Sequence, residues 1–411
     1  MNVENVVIIN DYASVNGGSA KIAIETALNL KKRGINVVFF AAVAPIDDRL
    51  LKSKVKTVCL GIYDLLHERN KIKALVSNIW NEKAKKELHN LLEQMKPQNT
   101  VVHIHGWIKA LSSSVLYPVN KMGFTIVITT HDYFAVCPNG GLYNYQKKSL
   151  CKYIPMSTQC IFCNCDKRNY CHKIFRVLRQ CVQNVLIKNN ERVNYISISE
   201  LNEKLNKRFT ISQNYMRILN PVKTSEIIST NSAYANYIVY AGRISEEKGT
   251  DVFCEAVQNL KNNGYKFDAC VIGDGDDIEK YITKYPDICF TGWIPHEVAL
   301  GIMKEARVLV LPSRCYEGAP LAIVEAMIMG VPCIVSNATS ATEVINENTG
   351  YIFESENVCD LMKCIRESLN DDEYKTKKEC IKNTFDSELY SEDVYSNRLV
   401  GLYDELLRND R

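Results

Sequence analysis

Short apolar runs alternate with longer amphipathic ones along the first half of this chain. Residues 6–10, 36–41, 100–104, 125–130 and 195–199 are rich in Val and Ile, while residues 18–33 and 82–95 repeat apolar positions at helical spacing. Strands that are apolar on both faces and alternate with helices predict a parallel sheet covered on both sides. The pattern restarts after Asn220-Pro221, with strands predicted at 237–241, 267–272, 288–290, 308–311 and 333–336. Helices are predicted between them at 251–262, 296–304 and 320–329. The reading is α/β, with parallel-sheet domains over 1–221 and 222–388 and a polar, Ser/Thr-rich linker at 225–235. After a break near 385–387, the segment 389–411 predicts a last helix, about 391–408, free to pack back on the first domain. Residues 137–171 hold Pro, Gly, Tyr and Cys without periodicity and read as a module inserted in the first domain.

Length and composition narrow the class. A chain of 411 residues suits two or three domains. Its 46% hydrophobic and 24% charged content is that of a globular enzyme, not a disordered chain. No window approaches the roughly 18 uninterrupted apolar residues of a membrane span. Glu4 stands where a secretory signal needs positive charge, and the apolar run there is only residues 6–9, so a cytoplasmic location is expected. The net charge of +3 argues neither for nor against nucleic acid, which is not an expected partner. Residues 147–210 are distinctly basic, with 13 Lys and Arg against 4 Asp and Glu. Sixteen cysteines without a secretory signal point to thiols, a metal site or both, not a disulfide scaffold.

The strongest local motif is Ser313-Arg314-Cys315-Tyr316-Glu317-Gly318-Ala319-Pro320-Leu321, which leads into a helix carrying Glu325. Pro320 suits a first helical turn, and Gly318 and Ala319 leave backbone N–H groups uncovered. Such a helix start attracts anions through free donors and the helix dipole. Glu317 and Glu325 are suited to grip vicinal hydroxyls; the plainer reading makes them a cap and a buried structural acid. After the first strand of the second domain comes Gly242-Arg243 and then Lys248-Gly249, a fork and a point charge fit to neutralise a diphosphate, or plain solvated loop charges. Gly17-Gly18 follows the first strand of the chain and lets the backbone approach a ligand closely. His131 ends a predicted strand at the carboxyl edge, where open α/β sheets bind ligands.

Together, the Glu-x7-Glu pair Glu317/Glu325, the GR…EKG element at 242–249, the Gly-Gly loop and Thr130-His131-Asp132 resemble family 4 of the glycosyltransferases. The likeness is closest over residues 236–352. It implies the GT-B fold, two Rossmann-like domains facing across a cleft, and metal-independent transfer that retains anomeric configuration. It also implies a UDP- or GDP-sugar donor and a glycan or lipid-linked acceptor, in surface polysaccharide assembly. By the same resemblance Arg243 and Lys248 hold the donor diphosphate and Glu325 the ribose hydroxyls. Glu317 contacts the transferred sugar, His131 stands near its reacting centre, and Gly273 and Ile294 lie in loops near the nucleotide. No catalytic cofactor is implied. The alternatives are another enzyme on this scaffold, such as a nucleotide-sugar epimerase or a phosphorylase, or a non-catalytic glycan- or nucleotide-binding protein.

Three features stand outside that resemblance. Asp274-Gly275-Asp276 matches an acidic metal motif but follows a strand within IGDGD, and reads as a glycine-rich loop. Cys151, Cys160, Cys163 and Cys165 are spaced to hold a structural zinc, with free thiols as the alternative. Ile174, Leu178, Cys181, Val182, Val185 and Leu186 recur at helical spacing among Lys and Arg. That helix either packs its stripe on the sheet or lies on an anionic membrane surface.

Overall fold

The computed structural model describes residues 3–188, 190–210, 214–223, 237–275 and 278–409. The first sheet has seven strands in the order β3-β2-β1-β4-β5-β8-β9: β1 (Asn5–Tyr12), β2 (Asn36–Val43), β3 (Lys56–Cys59), β4 (Thr100–Ile104), β5 (Thr125–Thr129), β8 (Val193–Ser197) and β9 (Tyr215–Arg217). Between β5 and β8 a short antiparallel pair, β6 (Tyr143–Asn144) and β7 (Ser149–Leu150), forms part of the cysteine-bearing module. The second sheet has six strands in the order β12-β11-β10-β13-β14-β15: β10 (Ile238–Ala241), β11 (Ala269–Ile272), β12 (Cys289–Phe290), β13 (Val308–Leu311), β14 (Cys333–Ser336) and β15 (Gly350–Phe353). Every pairing within the two large sheets is parallel.

Each central strand buries both faces, which explains its unbroken apolar run. In β1, Val7 and Ile9 enter one core cluster while Val6 and Ile8 enter the opposite one. In β10, Val239 and Ile238/Tyr240 divide in the same way. In the two large sheets, three strands escape the apolar signal: β3, β9 and β15. All lie at sheet edges, where one side needs no apolar partner. The boundary expected at 221/222 lies at the end of the described stretch 214–223, and the linker expected at 225–235 lies outside the described residues.

The last helix, Glu392–Asn409, packs Tyr395, Leu399, Leu402, Tyr403 and Leu407 into the cluster of Val6 and Ile8, on the first sheet. The Tyr395 hydroxyl meets Thr26 Oγ1 at 2.7 Å, and the Tyr403 hydroxyl meets His103 Nδ1 at 2.6 Å. The chain thus returns to the first domain after completing the second. The Val222 N–H donates to the Tyr390 carbonyl at 2.9 Å, so the outgoing and returning segments touch.

Two expectations need correction here. Among the described residues no three His, Cys, Asp or Glu side chains are grouped to hold a metal ion, so the zinc site on Cys151, Cys160, Cys163 and Cys165 is not assembled. A cation already occupies the cluster: the buried Lys173 ammonium donates to Cys160 Sγ at 3.4 Å, while Cys163 Sγ accepts from Asn144. The helix Tyr170–Ile187 also departs from simple core packing. It buries Lys173, Arg179, Gln180 and Gln183, whereas Leu178 and Val185 face water at 52% and 77% exposure. The buried donors serve the loop beneath: Gln183 Nε2 donates to the Phe134 carbonyl at 2.9 Å and Arg179 to the Pro138 carbonyl at 3.3 Å. An irregular buried loop has unpaired carbonyls, and side chains must satisfy them.

Candidate active site

Both sheets reverse their strand order once, between β1 and β4 and between β10 and β13. At such a switch point adjacent loops run to opposite faces and leave a crevice beyond the carboxyl ends of the strands. The motif residues sit at these two crevices. Arg243 and Lys248 follow β10, the 313–321 segment follows β13, Gly17-Gly18 follows β1, and His131 follows β5.

In the second domain the loops are laced together. Arg314 makes a two-pronged pair with Asp251, at 2.6 and 2.8 Å, and its N–H donates to the Glu247 carbonyl. Gly249 adopts φ +71°, and a Cβ there would lie 1.9 Å from the Pro312 carbonyl oxygen, so only glycine lets these two loops touch. Gly273, at φ +133°, presses in the same way on the Gly242 carbonyl, 2.1 Å from where its Cβ would be. Gly273 also pairs with Gly292, which brings the loop holding Ile294 alongside. Asp276 lies outside the described residues.

This lacing brings Lys248 and Glu317 into contact: Nζ donates to Oε1 at 2.5 Å, and the same oxygen accepts from Ser313 Oγ at 2.6 Å. Burial alone would raise the Glu317 carboxyl, but the Lys248 ammonium, the Ser313 hydroxyl and the nearby Arg243 hold it below the usual range. Burial likewise opposes the charge on Lys248, and the Glu317 carboxylate overrides it, keeping the ammonium firmly protonated. Arg243 reaches outward at 62% exposure, anchored by one bond to the buried Glu247 at 2.6 Å. The helix Leu321–Ile328 begins after Pro320, which is its N-cap instead of lying in its first turn. No side chain among the described residues caps that helix start, which leaves its amides available. Ala319, Pro320 and Leu321 also wall a cavity of about 340 Å³ with Ser199 and Asn220 of the first domain.

The first domain faces this group. A Cβ on Gly318 would lie 3.5 Å from the His131 carbonyl oxygen and 3.3 Å from Asn202 Nδ2. Glu325 is buried and accepts from or pairs with His296 Nε2 at 3.0 Å, with Lys21 Nζ at 3.8 Å. Lys21 belongs to the helix Gly18–Lys32, directly after the Gly17-Gly18 turn. Two more contacts cross between the domains. Glu343 accepts from the Glu200 and Leu201 N–H groups at 2.7 Å each, and Lys148 of the cysteine module pairs with Glu246 at 2.5 Å. Arg243, Lys248, Glu317 and Glu325 therefore gather at the interdomain groove.

On the first-domain side, a cavity of about 70 Å³ is lined by Asn10, Asp11, Tyr12, His105, Lys109 and Asp132, among others. Buried Asp11 accepts three N–H bonds, from Lys109, Ala110 and Leu111, each at 2.9 Å, and so ties the loop after β4 to the end of β1. Asp132 faces open solvent yet is crowded by protein, which pushes its carboxyl up to about 6. Burial holds the His131 imidazole down at about 3, so it is neutral at ordinary pH. A larger cavity, about 560 Å³, is walled by Ala135, Met156, Tyr195 and Phe209 and holds none of these charged groups. The charge constellation, not cavity size, locates the site.

Sequence reasoning gave no role to Lys21, His296, Ser313 or His105. The last was within reach, since His103-Ile104-His105 ends a predicted strand as His131 does. Lys21 and His296 carried no local signal, because both act on Glu325 from far along the chain.

A family model described as "Glycosyl transferases group 1" matches residues 224–386. The chain is similar to the alpha-D-kanosaminyltransferase of Streptomyces kanamyceticus, 26% identical over 176 residues, covering 41% of this chain and 45% of that one. A 41.2 kDa protein of the cps region of Klebsiella pneumoniae is 25% identical over 313 residues, covering 74% of this chain and 78% of its own length. The chain thus spans less than half of the first of these relatives. Among solved structures, the Anabaena protein HepE in complex with UDP-glucose superposes with a TM-score of 0.67 at 13% identity, covering 98% and 99% of the two chains, a likeness of fold. Residues 224–386, most of the second domain, thus match the glycosyl transferases group 1 family, and the chain as a whole has the GT-B fold.

Proposed function

We propose that this chain is a retaining, metal-independent hexosyltransferase that moves a sugar from a UDP- or GDP-sugar to a glycan or lipid-linked acceptor in surface polysaccharide assembly. One observation carries the reading: the Lys248–Glu317 pair, with Arg243 beside it, stands at the uncapped start of the helix Leu321–Ile328 and opposite His131. Arg243, Lys248 and the amides of residues 318–321 supply fixed positive charge for a departing diphosphate, the main catalytic requirement of such a transfer. They need no metal ion to do so. Glu317 presents a carboxylate kept ionised by Lys248 to the hydroxyls of the transferred sugar. Glu325 takes the ribose hydroxyls, with Lys21 and His296 setting its orientation. Gly17 and Gly18 let the first domain approach the sugar, and Gly273 and Ile294 border the nucleotide. As the bond from the anomeric carbon to the phosphate breaks, the acceptor hydroxyl attacks from the same face and passes its proton to the leaving phosphate oxygen. Closure of the groove keeps water from competing.

The test is nucleotide release from UDP- and GDP-hexoses by the purified protein. Release should require an acceptor, persist in excess EDTA and yield a product with the donor's anomeric configuration by NMR. Release without acceptor, or full loss in EDTA, would overturn the mechanism; an epimerised sugar nucleotide or a phosphate-dependent product would assign another reaction.

The first domain also offers a surface for an anionic membrane carrying a lipid-linked acceptor. Leu178 and Val185 are exposed on the helix Tyr170–Ile187. The neighbouring helix Lys71–Ile79 exposes Ile72 at 76% and Val76 at 61%. Among the described residues no helix is long and apolar enough to cross a membrane, so contact would be peripheral. Liposomes rich in anionic lipid should sediment the protein at low salt and release it as salt rises. Val185→Asp with Val76→Asp should abolish sedimentation, and sedimentation unchanged by both would reject this face.

A further inference from the structure

Three histidines cluster where β4 and β5 end. His103 is satisfied at both ring nitrogens, Nε2 by Thr129 Oγ1 at 2.7 Å and Nδ1 by the Tyr403 hydroxyl at 2.6 Å. His105 packs on it, with ring centroids 4.2 Å apart, and its Nδ1 meets His131 Nε2 at 2.9 Å. His105 is buried at 4% exposure, and its Nε2 has no hydrogen-bond partner among the described residues. Burial keeps both members of the pair neutral, holding His131 at about 3 and His105 well below the usual imidazole range. Each ring then carries one proton, and a single hydrogen bond joins them.

Only two arrangements are consistent with that bond. If His131 Nε2–H donates, His105 must carry its proton on Nε2, a buried donor facing no acceptor. If His105 Nδ1–H donates, His105 Nε2 is a bare lone pair, and the proton of His131 sits on Nδ1. A buried orphan N–H is the costlier of the two defects. We infer that His105 is a positioning residue that fixes His131 in the Nδ1–H tautomer, so that His131 gives the groove a hydrogen-bond donor and not a base. The inference rests on reading the groove as a glycosyl-transfer site. It deepens that reading by assigning His131 to an oxygen of the bound sugar and leaving the acceptor's proton to the leaving phosphate.

The direct test is long-range proton–nitrogen NMR on protein labelled at its seven histidines. Signals are assigned by His131→Asn and His105→Asn. Both His131 and His105 should show the Nδ1–H pattern in the wild-type protein; an Nε2–H pattern at His131 would overturn the proposal. That result does not depend on turnover, so an inactive protein with the expected tautomers would remove the transferase reading alone. In the kinetic arm, His105→Asn keeps a donor near the position of Nδ1 and should hold kcat near wild type. His105→Phe should lower kcat about 100-fold, the low end for loss of one fixed donor, with donor KM little changed. Equal losses in the two variants would count against the tautomer role.

Discussion

Replacing Arg243 by alanine should lower kcat/KM for the sugar nucleotide by about 10²–10³-fold, the range for one removed electrostatic donor. The guanidinium is 62% exposed and directed at the groove, and its one described partner is Glu247. Glu247 is itself buried, so its carboxylate loses a donor, and a stability loss of about 1–2 kcal/mol is expected alongside. The protein stays folded while transfer collapses. Arg243→Lys should restore most of the stability and only part of the activity, because an ammonium reproduces the charge but not the planar fork. The readouts are steady-state nucleotide release and thermal unfolding of the same samples. An alanine variant transferring at the wild-type rate would take Arg243 out of the mechanism.

The largest expected effect on folding is at Gly249. A methyl group there would sit 1.9 Å from the Pro312 carbonyl oxygen, on a residue held at φ +71°. Left-handed backbone and steric overlap together predict a loss of about 3–5 kcal/mol for Gly249→Ala. Gly264 is the internal control: φ +87° with nothing within 4 Å of a Cβ, so Gly264→Ala should cost only about 1–2 kcal/mol. Urea unfolding of the two variants separates the contributions. Equal losses would mean that backbone conformation alone, not contact between the loops after β10 and β13, requires the glycine. Because Lys248 immediately precedes it, any surviving Gly249→Ala protein should also be slow.

The central strands were readable because burial on both faces demands an unbroken Val/Ile run, as in β1, β10 and β13. The edge strands β3, β9 and β15 were not, since a strand paired on one side tolerates the Lys, Arg and Tyr found there. The loops of the second-domain site were readable for a different reason: Arg243, Lys248, Glu317 and Glu325 lie within short motifs at strand ends. Their partners were hidden. Lys21 meets Glu325 only because the two domains face each other, and no local window contains both. The helix Tyr170–Ile187 misled for a related reason. Its periodicity records apolar positions, but what it buries is set by the carbonyls of Phe134, Ala135 and Pro138, which draw Gln183, Gln180 and Arg179 inward. The cysteine spacing was equally silent about Lys173, whose ammonium sits among the sulfur atoms.

The bond from Val222 to Tyr390 joins the two places where the polypeptide passes from one half of the molecule to the other. A single tether would let the halves swivel freely. Two tethers fastened side by side act as a strap, which permits bending along one line and resists yaw. Any opening and closing of the groove would thereby be steered along one path, returning Lys21 to Glu325 and Gly318 to His131 without a search for alignment.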